Sequence, residues 1–322
     1  MPNPSAVCDA WYLVGPTASG KSEVALPLAQ AINAEILSLD SMAVYRGMDI
    51  GTAKPDLAAR RSVPHHLIDL VDPTDEFSVT MYLEAAGHCA ADLLARGKQV
   101  LFVGGTPLYL KGLLRGLSGG PPADPDLRRR LLGEAEQLGT ATLHQRLAGC
   151  DPRAAARIHP HDLRRIIRAL EVMETTGQPI SDHQRHFQSG RAAGDCRVFL
   201  IDWPRPQLHR RINQRVEAMF AAGFVDEVRA LRGRYRQISP TAAQAVGYRQ
   251  IAAYLDGQID LPTAIRQTQA GSRQLARRQL IGYRGLSECR RCAVSDPLDG
   301  GRLVRQIVGQ ARPSGFPDHS EV

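Results

Sequence analysis

The run Ala10-Trp11-Tyr12-Leu13-Val14, followed by Gly15-Pro16-Thr17-Ala18-Ser19-Gly20-Lys21-Ser22 and then Glu23-Val24-Ala25-Leu26, constrains this chain more than any other stretch. An apolar segment of strand length feeds a loop of the form G-x-x-x-x-G-K-[ST], and a helix opens directly behind it. In that context backbone N–H groups and the helix N-terminus converge on an anion. Lys21 is placed to hold terminal phosphate oxygens, and the Ser22 hydroxyl to reach a magnesium ion. The bland alternative is a chance glycine–lysine run. Lysine occurs only at 21, 54, 98 and 111, which makes such a coincidence rare. The loop predicts phosphate binding without naming the chemistry, and ATP is the default occupant.

The first 118 residues continue to alternate strand and helix signals. Ala34–Leu39 reads as a strand ending at Asp40, Leu67–Val71 as a third apolar run, and Val79–Ala95 as a helix. Gln99–Val103 reads as a buried strand that ends in Gly104-Gly105-Thr106. This alternation predicts an α/β fold, a parallel sheet covered by helices on both faces. Ligands then bind beyond the carboxyl ends of the strands, where the loop, Asp40 and Thr106 all fall.

A breaker cluster at Ser118-Gly119-Gly120-Pro121-Pro122 marks a change in composition. Helical signals follow, with Asp124-Pro125 as a helix start. A second helix spans about 162–176, with Leu163, Ile166, Ile167, Leu170 and Met173 on one arc and Arg164, Arg165 and Arg168 on the other. A strand signal returns at Cys196–Ile201. The organisation expected is therefore a core from residues 1–118 and 196–322, with an α-helical insertion at 119–195. The remainder of the core is read as mainly helical. Its segment Thr263–Gly285 lines up Arg266, Arg273, Arg277 and Arg284 if it is one helix, which Gly271 and Gly282 count against. The last ten or so residues are expected to be disordered.

Charge divides along the same boundary. Residues 1–118 carry 9 basic and 12 acidic side chains; residues 119–322 carry 31 and 21. A bias toward arginine explains the scarcity of lysine but not the asymmetry, which suggests a polyanionic partner such as nucleic acid. The six scattered cysteines imply no disulfide framework, and Cys289-x-x-Cys292 lacks partners at zinc spacing. No apolar run reaches the roughly 18 residues of a membrane span, and the first residues do not read as a signal peptide. A cytoplasmic protein is expected.

Nucleoside triphosphatases of this loop type add an apolar strand ending in Asp to hold magnesium. Here that strand ends in Gly104-Gly105-Thr106, which disfavours hydrolysis-driven work. Asp40 can simply cap the turn after its strand. It can also hold an acceptor and take its proton, from a hydroxyl in a kinase or from an amine in an alkyl transferase. The residues alone do not separate these.

Taken together, several segments resemble the tRNA dimethylallyltransferase (tRNA isopentenyltransferase) family of bacterial type. They are GPTASGKS at Gly15–Ser22, SLDSM at Ser38–Met42, YRGMDIGTAKP at Tyr45–Pro55 and PHHLID at Pro64–Asp69. VGGTPLY at Val103–Tyr109, DPRAAARIHPHDLRRIIRALEV at Asp151–Val172, Gly247-Tyr248-Arg249 and RQLARRQ at Arg273–Gln279 complete the set, which covers nearly the whole chain. YRGMDIGTAKP is the most specific of them. The resemblance implies a P-loop NTPase-like parallel sheet core with an α-helical insertion domain. It also implies transfer of a dimethylallyl group from dimethylallyl diphosphate to N6 of the adenosine 3′ of the anticodon, in tRNAs that read U-starting codons. Magnesium is the implied cofactor and the tRNA anticodon arm the implied partner, and a monomer is expected.

By the same resemblance, Gly15, Pro16, Thr17, Ala18, Ser19, Gly20, Lys21 and Ser22 hold the leaving diphosphate, Ser22 with the metal. Asp40 orients and deprotonates the amine, Thr106 holds it, and Thr17 lies beside the reacting carbon. Arg211 and Arg215 match the diphosphate-proximal region; Arg215 is expected to bind the diphosphate, with the choice between the two open. tRNA contacts map onto Asp40, Ser41, Met42, Ala43, Thr106, Arg128, Arg164, Arg165, Ile166, Ile167 and Arg168. They continue at Gln244, Ala245, Val246, Gly247, Tyr248, Arg249, Arg277, Arg278, Gln279 and Arg284. The chain departs from the family at Gln244, where Arg is frequent, at Leu163-Arg164, where Pro-Gln is frequent, and at Gly282, where Trp is common. Tyr283 beside it is a candidate for the missing aromatic surface. An adenylate dimethylallyltransferase, a small-molecule kinase and a non-enzymatic RNA-binding module are the competing classes. The basic insertion argues against the first, and the Lys21–Asp40–Thr106 set against the last.

Overall fold

The computed structural model describes residues 7, 9–116, 120–183 and 190–311. The expected disordered end, the first five residues, Cys8, and Ser118-Gly119 of the breaker cluster lie outside the described residues. The chain divides into two compact units, one formed by Met1–Leu114 with Arg191–Val322 and the other by Arg115–Gly190.

The larger unit is built on six strands: β1 (Trp11–Val14), β2 (Ala34–Leu39), β3 (His65–His66), β4 (Gln99–Gly104), β5 (Arg197–Asp202) and β6 (Cys289–Ala293). Their order is β3-β2-β4-β1-β5-β6, and every pairing is parallel. Both faces of the sheet are buried, as parallel sheets require. Tyr12, Val14, Leu37, Leu39, Phe102 and Leu200 face one apolar layer with helices Val79–Ala95 and Pro107–Arg115. Trp11, Leu13, Ile36, Leu101, Phe199 and Ile201 face the other, with helices Lys21–Ala31, Arg205–Ala221 and Gly300–Ala311.

Two strand expectations need correction. The apolar run Leu67–Val71 is not a strand; the paired residues are His65 and His66 just before it. Leu67 and Asp69 adopt positive φ of 61° and 56°, which breaks an extended run. Asp69 is turned there to the buried Lys54 at 2.6 Å and to Arg60 at 3.0 Å. The stretch after residue 196 also contains β6, which sequence reading left out. Its Arg290-Arg291 pair interrupts the apolar pattern that marks a central strand.

The segment from 261 to 284 is one helix, Leu261–Arg284, despite its glycines. They mark close approaches instead. A Cβ at Gly282 would lie 2.7 Å from Pro107, and one at Gly271 3.2 Å from Val246. A third apolar cluster joins Val44 and, from the YRGM segment, Tyr45 and Met48 to Phe224, Val228, Tyr248 and Ile251.

The smaller unit is helical. Leu131, Leu143, Leu147, Ile166, Ile167 and Leu170 form its core, drawn chiefly from helices Pro125–Leu138, Thr140–Cys150 and Leu163–Thr176. Aspartates cap the first and last of these: Asp124 accepts from the N–H groups of Asp126 and Leu127, and Asp162 from that of Arg165.

Candidate active site

Sheet order assembles the site. β4 lies between β2 and β1, so Thr106 after β4 sits between Asp40 after β2 and the phosphate loop after β1. Such a reversal of strand order opens a crevice at the carboxyl ends. Gly104 closes the distance further: a Cβ there would fall 2.1 Å from the Leu39 carbonyl oxygen. The N–H groups of Gly105 and Thr106 both donate to that oxygen, at 3.1 and 3.2 Å. Thr106 Oγ1 then accepts from Ser41 N–H at 3.1 Å. Asp40 Oδ1 accepts from the N–H groups of Met42 at 2.8 Å and Ala43 at 3.4 Å. Oδ2 has no hydrogen-bond partner among the described residues and is left for a ligand.

The loop's shape depends on Gly20, whose φ of 83° is left-handed and which precedes helix Lys21–Ala31. At the first turn of that helix the N–H groups of Lys21 and Ser22 have no carbonyl one turn back. Lys21 Nζ donates to the carbonyls of Gly15 at 2.9 Å and Pro16 at 2.7 Å. Burial and the neighbouring Arg215 together lower its pKa to about 7, against the opposing pull of Asp40. Arg215 is likewise lowered by burial and held up in part by Asp40.

Two cations and one carboxylate thus share the site, and neither cation has an ion pair within 4.0 Å among the described residues. This is the electrostatics of an anion site. The two arginines left open by the sequence both line the cavity but differ in their partners. Arg211 is engaged by the loop itself, donating to the Ala18 carbonyl at 3.0 Å and to Glu23 at 2.8 Å, with its guanidinium over Trp203. Arg215 is the one coupled to Lys21 and Asp40.

These groups line one cavity of about 910 Å³, together with Thr17, Ser22, Met42, Val246, Arg278 and Gln279. Beneath Asp40 lie phenols that sequence reading missed. Tyr82 donates to the Ser38 carbonyl at 2.8 Å and stacks on Tyr109 with ring centroids 3.9 Å apart. Burial raises the pKa of both, so they stay neutral. Glu227 is a second omission. Its carboxylate accepts from the N–H groups of Asp49, Ile50 and Gly51 and from the Tyr248 hydroxyl, which fixes the YRGMDIGTAKP segment. Neither residue type stands out in sequence, because nothing local marks its partner.

The residues mapped to RNA divide by exposure. Gln244, Arg249, Arg277, Arg278 and Arg284 are exposed, as are Arg164 and Arg165 in the helical unit. Ile166 and Ile167 are instead core residues of that unit. Tyr248, Ala245 and Gly247 are buried, with Gly247 pressed on Phe224. Arg128 and Arg168 both bind Glu171, which is fully buried, at 2.9 and 2.6 Å. Burial alone would raise the Glu171 pKa, but these hydrogen bonds outweigh it and the net shift is downward. Tyr283 is buried too, so it offers no aromatic surface in place of the residue missing at Gly282.

A doubly covered parallel sheet with a phosphate loop, an anion site and a facing carboxylate defines a P-loop-type transferase. The profile of the IPP transferase family matches residues 43–284. The tRNA dimethylallyltransferase of Rhodopirellula baltica is 49% identical over 290 residues, covering 88% of this chain and 87% of that one. That of Stenotrophomonas maltophilia is 48% identical over 305 residues, covering 92% and 95%. The crystal structure of the full-length tRNA isopentenylpyrophosphate transferase of Bacillus halodurans superposes with a TM-score of 0.66 at 35% identity, covering 94% and 97%. The chain belongs to the IPP transferase family and is an enzyme, a prenyltransferase of tRNA modification.

Proposed function

We propose that this enzyme transfers the dimethylallyl group of dimethylallyl diphosphate to N6 of the adenosine 3′ of the anticodon, in tRNAs that read codons beginning with U. The observation that carries the proposal is the pair of cations, Lys21 and Arg215, which form no ion pair with a carboxylate among the described residues and share one cavity with Asp40. An allylic diphosphate develops negative charge on its leaving oxygens as the C–O bond breaks. Fixed cations and loop N–H groups stabilise that charge as it forms. An exocyclic adenine amine is a weak nucleophile, because its lone pair is delocalised into the ring. Asp40 Oδ2 orients it and takes one proton, a contribution of typically 10²–10⁴-fold. The N6–C bond forms, the C–O bond breaks, diphosphate leaves, and the proton passes from Asp40 to water.

Thr106 is held beside the same amine by its bond from Ser41, and Thr17 faces the reacting end of the donor. Among the described residues no three or more His, Cys, Asp or Glu gather as a metal site. A magnesium ion there would therefore take its oxygens from the diphosphate, water and the exposed Ser22 hydroxyl, a donor set that suits it. When bound, it supplies further neutralisation of the leaving group. The adenosine must leave its stack to enter the cavity. Exposed Arg249, Arg277, Arg278 and Arg284 of the α/β unit supply contacts to the tRNA backbone, and exposed Arg164 and Arg165 supply those of the helical unit. All the reacting groups lie on one chain, so a monomer suffices, acting in the cytoplasm with its tRNA. No helix of the described residues is long and apolar enough to cross a membrane.

The test is a partition assay. The protein is incubated with magnesium, labelled dimethylallyl diphosphate, unmodified tRNA, AMP and ATP. Label in tRNA is the expected result. Label only in free nucleotide would make it an adenylate prenyltransferase, and ATP turnover with no label moved would make it a kinase.

A further inference from the structure

Gln279 was mapped to RNA by resemblance, yet its side chain is used up inside the protein. The residue is 8% exposed. Its Oε1 accepts from Thr17 N–H at 2.9 Å, and its Nε2 donates to the Gly105 carbonyl at 2.7 Å. These partners dictate the amide's orientation, since an N–H needs the oxygen and a carbonyl needs the nitrogen. The amide therefore ties the phosphate loop to the end of β4, one residue before Thr106.

The neighbouring backbone is shaped to admit this amide. A Cβ at Gly105 would lie 2.5 Å from Gln279 Nε2, so a side chain there would push the amide off its bond. This accounts for both glycines of Gly104-Gly105-Thr106: Gly104 admits the Leu39 carbonyl and Gly105 admits the Gln279 amide. Thr17 N–H, being taken by Gln279, does not serve the anion. What it does is fix where the Thr17 side chain sits relative to Thr106.

We propose that Gln279 is a positioning residue for the transfer reaction. It holds the donor side of the site (Thr17) in register with the acceptor side (Thr106 and Asp40) and makes no contact with RNA. The proposal rests on the prenyl-transfer reading above. Displacing reacting groups by an ångström or so costs up to about 10²-fold in rate. Both polar atoms of the Gln279 amide are engaged within the protein, so the loss should fall on kcat rather than on substrate binding.

The experiment measures kcat, KM for dimethylallyl diphosphate, and the Kd values of tRNA and inorganic diphosphate, in wild type and in Gln279→Met, Gln279→Glu and Gly105→Ala. Gln279→Met removes both bonds. Gln279→Glu is nearly isosteric, keeps the acceptor for Thr17 and loses the donor to Gly105, so it carries the test if the methionine variant fails to fold. The expected result is a kcat lowered roughly 10- to 100-fold with the tRNA Kd within about threefold of wild type, and with the diphosphate Kd likewise within about threefold in the variants that add no charge. Gly105→Ala should produce the same pattern, and the double variant Gly105→Ala/Gln279→Met should lose no more than the worse single one. A tRNA Kd raised about tenfold with kcat at saturating tRNA unchanged would overturn the proposal and make Gln279 an RNA contact. Unchanged kinetics throughout would overturn it as well. A wild-type protein that moves no dimethylallyl group would instead sink the prenyl-transfer reading itself.

Discussion

Both the α/β unit and the helical unit pair arginines with carboxylates, but two cations of the α/β cavity are held differently from those of the helical unit. In the α/β unit, Lys21 and Arg215 stand beside one another with no ion pair among the described residues and with lowered pKa values. In the helical unit, Arg128 and Arg168 converge on Glu171, while Arg130 and Arg146 share Glu134 and Glu174. The first arrangement is costly until an anion arrives. The second is mostly offset, its four arginines facing three glutamates, and gains less from one. Net charge along a segment therefore overstates its appetite for polyanions; what matters is which cations the fold leaves unpaired. By that measure, Arg164 is the clearest RNA candidate of its helix, since it forms no ion pair with a described residue, whereas Arg165 leans on Asp162 at 3.4 Å.

The contrast can be broken at several points. The largest effect is expected at the carboxylate facing the cations. Asp40→Asn should lower transfer by about 10²–10⁴-fold in single-turnover assays, with tRNA affinity retained. A loss of tRNA binding instead would make Asp40 a docking residue. Lys21→Met comes next, with transfer reduced by about 10²–10³-fold and diphosphate binding weakened.

Lys21 also sets a pH dependence. Its folded pKa of about 7 lies below its ordinary 10.5, so between these values the donor-free fold holds fewer protons than the unfolded chain. Stability without donor should therefore rise with pH across that window. Diphosphate binding needs the ammonium and should weaken as pH rises above 7, by at most about tenfold per unit. Titration calorimetry with dimethylallyl diphosphate between pH 7.5 and pH 9 reads this, since the terminal phosphate of the ester, like that of a monoester, ionises near pH 6 and is fully charged throughout. Affinity that strengthens with pH would contradict it.

In the helical unit the effect should be on stability. Glu171→Ala leaves two guanidiniums without their carboxylate, and these are about a third exposed, so a loss of about 2–4 kcal/mol is expected by denaturant unfolding. The Glu171 contribution is present above its unfolded pKa and is lost as pH falls through the lower folded value. The smallest effect separates two arginines of one helix. Arg164→Gln should reduce the salt slope of tRNA binding by about 1, and Arg168→Gln should leave that slope unchanged while lowering stability.

Much of this was legible in the chain. The phosphate loop, Asp40 and Thr106 could be placed together because each follows an apolar run, and strand ends collect ligands. The helix Val79–Ala95 matched its pattern to the residue. Three kinds of feature were not legible. β6 was hidden because its Arg290-Arg291 pair breaks the apolar pattern. Leu67–Val71 looked like a strand, but Asp69 is drawn into an ion pair with Lys54 fifteen positions earlier. The roles of Gln279, Glu171 and Glu227 depend on partners 262, 43 and about 177 residues away, and no periodicity reports such pairings. Resemblance marked Arg128, Arg168 and Gln279 as functional without separating RNA contacts from the residues that brace them.

The central claim is that the unpaired cations hold a prenyl diphosphate whose carbon passes to an adenosine presented by Asp40. Its most direct test is mass analysis of nucleosides from unmodified tRNA treated with the purified protein, magnesium, dimethylallyl diphosphate and ATP, with released diphosphate counted alongside. The account predicts one dimethylallyl group on the adenosine 3′ of the anticodon, one diphosphate released for each group transferred, and ATP untouched. Consumption of ATP with no prenylated nucleoside would contradict it.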